Sequence, residues 1–143
     1  MLISEVLRNK GQGVITVRPD DTVARLLALL AEHGVGALVV SDGGTDIKGI
    51  VSERDVVRHL HSDGPELLAA PVSSIMTADV ITCGRGEETA HLAETMTEHH
   101  IRHVPVVGDD GAMIAIVSIG DVVKSRISQL QAERDHLSAY IQQ

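Results

Sequence analysis

Two rhythms of apolar and polar positions alternate along this chain, and the pair of rhythms occurs twice. The β-rich runs Val14-Ile15-Thr16-Val17 and Val80-Ile81-Thr82-Cys83 each precede a segment with a helical stripe: Val23, Leu26, Leu27 and Leu30 in the first copy, Thr89, Leu92, Ala93 and Met96 in the second. Next come GALVV and HVPVV, a polar turn at SDGGTD or GDDG, and then IKGIVS or MIAIVS, which read as two strands joined by a Gly-Asp loop. A second helix follows each. Every copy therefore predicts the order β-α-β-β-α. Asp20 or Asp21 is the expected N-cap of the first striped helix, and Gly34 its left-handed terminator. His100 stands at the matching place in the second copy, a less favourable stop.

The copies keep register at an offset of 66 residues without a gap, and between residues 14–57 and 80–123 fourteen positions are identical. They include Ile50-Val51-Ser52 with Ile116-Val117-Ser118, and Asp55-Val56-Val57 with Asp121-Val122-Val123. With a three-residue adjustment, ISEVL at residues 3–7 also matches VSSIM at 72–76. The expected organisation is a first unit over 1–62, a linker over 63–71, a second unit over 72–128 and a C-terminal helical extension over 129–143. The fold class is α+β: each unit covers one sheet face with its helices, and two units bury their other faces as a pseudo-twofold pair.

Composition narrows the functional classes. Phe and Trp are absent and Tyr140 is the single aromatic, so the core is aliphatic. Twelve basic against twenty acidic residues give a formal charge of −8, which disfavours phosphate-neutralising surfaces for nucleic acid, and base stacking has no aromatic platform. One cysteine, Cys83, and an N-terminus without a signal-peptide pattern predict a reducing, cytoplasmic setting. Apolar runs such as ALVV are far too short to span a membrane.

Ser52-Glu53-Arg54-Asp55 and Ser118-Ile119-Gly120-Asp121, each between a strand and a helix, have the spacing of a capping box. Such a helix start also points backbone N–H groups and the positive dipole end outward, where an anion fits, and its carboxylate can accept from the two hydroxyls of a ribose. Capping and ligand binding both remain open from these residues.

The order VITV, GALVV, GIVSERD, then VITC, RHVPVV, AIVSIGD resembles a tandem pair of cystathionine-β-synthase (CBS) domains, the Bateman module, over residues 3–124. The resemblance implies a non-enzymatic regulatory module without an obligatory cofactor, binding AMP, ADP, ATP, NAD(H) or S-adenosylmethionine and reporting to an effector protein. By this resemblance Asp55 and Asp121 are ribose ligands, Ser52 and Ser118 phosphate-side hydroxyls, and Thr16 and Thr82 neighbours of the adenine on the opening strands. Arg102 and His103 are phosphate-side groups, Arg54 is a ligand-binding candidate beside the first motif, and Val104 and Pro105 are an apolar adenine wall. Ala115 replaces the usual Gly49, and Gly36-Ala37 replace Arg102-His103, so two unequal sites are expected.

His99, His100 and His103 raise a metal hypothesis, but they straddle a helix end and a strand and no Cys or carboxylate completes a set. Cys83 reads as a buried inert thiol. Val123, Ile127, Leu130, Leu137 and Ile141 form a stripe on the terminal helix, interrupted by Arg134, that either packs on its own module or serves a homodimer or partner. The alternative to nucleotide sensing is a constitutive dimerisation or scaffold module.

Overall fold

The computed structural model describes residues 1–10 and 13–142. The chain runs α1 (Ile3–Asn9), β1 (Thr16–Val17), α2 (Val23–His33), β2 (Ala37–Val40), β3 (Gly49–Ser52) and α3 (Glu53–Asp63). Two short 3₁₀ turns, Gly64–Ala69 and Val72–Ser74, lead to β4 (Cys83–Gly84), α4 (Thr89–His99), β5 (His103–Val107), β6 (Met113–Ser118) and α5 (Ile119–Ile141). The α+β class and the duplicated β-α-β-β-α order are both present.

Strand order is β1-β2-β3 in one sheet and β4-β5-β6 in the other. β1 lies parallel to β2 with Val17 opposite Val40, and β4 parallel to β5 with Cys83 opposite Val106, the same pair displaced by 66 residues. β2 and β3 are antiparallel, with Ala37 opposite Ser52 and Val40 opposite Gly49. The opening strands are shorter than the VITV and VITC runs predict, because only the last two residues of β2 pair with β1. Thr82 accordingly precedes β4 instead of lying on it.

Local signals explain most helix ends. The N-cap of α2 is Thr22, whose side chain accepts from Arg25 N at 3.1 Å, and neither Asp20 nor Asp21 caps it. The helix starts later than expected because Asp21 closes the preceding turn, accepting from Arg18 N at 2.9 Å. Gly34 ends α2 with φ 62°, and His100 ends α4 in the same left-handed conformation with φ 55°. The buried face of α2 comprises Val23, Leu26, Leu29 and Leu30, with Leu27 at its margin, so Leu29 belongs to the core where the stripe named Leu27. A wider face is needed because the helix packs on both β2 and the 3₁₀ turn at Gly64–Ala69.

Backbone contacts divide the chain into two compact units that do not coincide with the two sequence copies. One comprises Gly13–Ile81 with Asp110–Ile114, the other Met1–Gln12, Thr82–Asp109 and Ala115–Gln143. The first has an aliphatic core of Val17, Val23, Leu26, Leu38, Val40, Val51, Leu67 and Val72, among others. In the second, Ile3, Val104, Val106 and Val117 are fully buried. Each lead-in segment thus joins the other copy. Ile3 N and Ser4 N donate to Glu87 O and Arg85 O, and Leu2 bridges Glu88. Correspondingly, Val72 N and Ser73 N donate to Asp21 O and Pro19 O, and Pro71 bridges Thr22.

Gly49 is demanded by such a contact. Ile50 exchanges two 2.9 Å hydrogen bonds with Thr77, and a Cβ on Gly49 would lie 2.7 Å from Met76 Sδ and 2.9 Å from Thr77 O. In the second copy, where Ala115 carries that Cβ, the acceptor matching Ile50 O is Ile116 O, and it is reached by a side chain, Lys10 Nζ at 2.6 Å.

Candidate functional site

Both Ser-x-x-Asp segments are closed capping boxes. Asp55 N donates to Ser52 Oγ at 3.3 Å while Ser52 N donates to Asp55 Oδ2 at 2.8 Å; in the second copy the matching distances are 3.2 and 2.9 Å. Ser52 Oγ also donates to Asp55 Oδ2 at 3.1 Å. Each box works through Oδ2, which leaves Oδ1 of a half-buried carboxylate outside the cap.

The next backbone donor is tied as well. Glu53 N donates to Gly36 O at 2.9 Å, and Ile119 N to Arg102 O at 2.8 Å. These bonds fasten the approach to β2 or β5 against the helix start, so Arg102 is held beside the second motif where the first has only Gly36. Arg54 N and Gly120 N are the first-turn donors that the caps do not use.

The structure adds one group that the motifs do not contain. Lys10, just beyond α1, places Nζ 2.6 Å from Asp121 Oδ2. Burial pushes the Asp121 carboxyl up, but hydrogen bonds from Lys10 and Ser118 and the lysine charge outweigh it, holding the group below its ordinary value. Asp55 has no such cation among the ion pairs of the described residues. Local spacing could not reveal Lys10, which lies 111 positions from its partner. A faint signal existed in the lead-in match, where Lys10 falls opposite Asp79, a reversal of charge.

The remaining candidates are distributed as follows. Thr16 is half-buried on β1, Thr82 and Arg54 are exposed, and His103 is half-buried at the start of β5. Val104 and Pro105 are buried inside β5, and Val104 has no exposed surface. Ser118 and Asp121 are linked with Lys10 by the bonds above, and Arg102 meets the same helix start through its backbone oxygen; among the described residues no bond links Thr82 or Pro105 to them. His99 ends α4, His100 turns the chain and His103 opens β5, so the histidines do leave the helix as the sequence indicates. Among the described residues no cluster of three His, Cys, Asp or Glu is placed to hold a metal.

Comparison with known proteins follows the duplicated architecture. The CBS domain family model matches residues 3–62 and 72–128. A crystal structure of a CBS-domain containing protein from Agrobacterium tumefaciens is 39% identical, with a TM-score of 0.84 over 88% of this chain and 99% of that one. A Pyrobaculum aerophilum CBS domain protein, complexed with AMP, is 30% identical with a TM-score of 0.75, covering 85% of this chain and 89% of that one. A mitochondrial CBS domain-containing protein of Arabidopsis thaliana is 36% identical over 98% of this chain and 71% of its own length.

Proposed function

The chain belongs to the CBS domain family, and from that premise we propose that it is a regulatory module that binds an adenine nucleotide, AMP, ADP, ATP or NAD(H), and passes its occupancy to an effector protein. The observation that carries this reading is the pair of helix starts, alike at an offset of 66 residues, each offering a carboxylate oxygen outside its own cap. Such an oxygen suits a ribose diol, and the neighbouring N–H and dipole suit a phosphate. AMP in the Pyrobaculum relative supports an adenosine ligand. Asp55, Asp121, Ser52 and Ser118 are the proposed core of the two sites, with Arg102, His103 and Arg54 on the phosphate side and Thr16, Thr82, Val104 and Pro105 toward the adenine. Signal requires an effector that binds the occupied and empty states with different affinity. No catalytic step is assigned, and the cytoplasmic setting is proposed on the lone cysteine.

Calorimetric titration of nucleotide-stripped protein with AMP, ADP, ATP, NAD and S-adenosylmethionine tests the reading. Saturable binding, with a component lost in Asp55→Ala or Asp121→Ala, is expected. Unchanged affinity in both variants, beside a stability loss of about 0.5–2 kcal/mol, would reduce the motifs to caps.

A second reading is favoured by α5. Val123, Ile127, Leu130, Leu137 and Ile141 are all exposed, so the stripe is not the face packed on the chain's own unit; Val122 and Ser125 are. We therefore also propose that this stripe holds a homodimer, which a constitutive scaffold would use without any nucleotide.

A further inference from the structure

Lys10, Ile116 and Asp121 form a polar constellation in one copy only. Lys10 directly follows a helix fixed through the buried Ile3 and Val6, so its position is set by packing. Its ammonium is 2.6 Å from both Ile116 O and Asp121 Oδ2. An ammonium carries three hydrogens, so these two acceptors leave one available, and the side chain is still 34% exposed. Asp121 Oδ2 already serves the cap by accepting from Ser118 N, so Lys10 takes the oxygen that the cap uses and leaves Oδ1 clear. A fixed cation with a remaining donor thus stands beside a carboxylate with a remaining acceptor.

The first motif has a different charge. Among the described residues, Asp55 Oδ2 receives only the neutral donors Ser52 N and Ser52 Oγ. Asp79 matches Lys10 in the lead-in, Gly36 matches Arg102, and Glu53 begins the helix where the second copy has Ile119. On a chain of formal charge −8, an unpaired carboxylate beside a bound phosphate is repulsive, and a local ammonium removes that repulsion.

We propose that Lys10 makes the second Ser-x-x-Asp motif selective for phosphate-bearing adenosine ligands over the neutral nucleoside: its ammonium neutralises Asp121 and donates its remaining hydrogen to a phosphate oxygen. This rests on the nucleotide-binding reading above. The Ile116 bond gives the ammonium a second anchor beside Asp121, at the carbonyl that matches Ile50 O, which Thr77 N satisfies in the first copy.

The test is calorimetry of AMP and adenosine with full-length Asp55→Ala protein, which isolates the second motif, and with the same protein carrying Lys10→Met or Lys10→Arg. Lys10→Met is expected to weaken AMP about tenfold or more while adenosine stays within about twofold, and Lys10→Arg to retain most of the AMP affinity. Equal losses for both ligands would overturn the proposal, as would tighter binding of both, which would make Lys10 an obstruction. If Asp55→Ala protein takes up neither ligand, the nucleotide reading of the second motif fails and the role of Lys10 with it. If Asp55→Ala protein binds both ligands but Lys10→Met changes AMP and adenosine alike, only the role of Lys10 fails and the nucleotide reading stands.

Discussion

At the scale of single residues, the chemistry of this chain is decided by what surrounds each polar group. Burial, with a further push from Glu87, raises the Cys83 thiol to about 12. Native protein at pH 8 therefore holds almost no thiolate. Iodoacetamide should label Cys83 slowly in the folded chain and rapidly in urea; equal rates would show that the thiol is open to solvent. The inert reading of Cys83 was available from its place on an apolar strand, and the boxes at Ser52 and Ser118 from their spacing. Lys10 was not legible, since its two acceptors are contributed by distant segments.

At the scale of elements, the two copies differ where a strand edge meets a lead-in. Ile50 O is satisfied by Thr77 N in one copy, and Ile116 O by the Lys10 ammonium in the other. The Gly49 and Ala115 difference, seen in the sequence as a departure from the pattern, is thereby tied to backbone approach. Gly49→Ala should cost about 1–3 kcal/mol, because Thr77 O is backbone and cannot swing away. Ala115→Gly should cost no more than about 1 kcal/mol. Urea denaturation of both variants measures the contrast, and equal costs would remove the account. Helix ends followed local chemistry at Gly34, whereas the cap of α2 fell to Thr22 because Asp21 was engaged in its own turn.

At the scale of the whole molecule, association and charge come forward. Among the described residues no helix is long and apolar enough to cross a membrane, so the apolar stripe of α5 calls for another explanation. Ile127 and Leu130 are half exposed, at 51% and 49%. Sedimentation should find wild-type protein dimeric and Ile127→Glu/Leu130→Glu protein monomeric; a monomeric wild type would end the homodimer reading. The sequence by itself determined the duplication, the order of elements, the aliphatic core and both capping boxes, because each is written in residues a few positions apart or in a register repeated along the chain. Only the tertiary structure decided that each lead-in joins the opposite copy, that Lys10 meets Asp121, and that the α5 stripe is left uncovered. Those outcomes depend on the packing of segments far apart in the chain, and packing geometry, unlike the spacing of a cap or a stripe, leaves no local periodic trace.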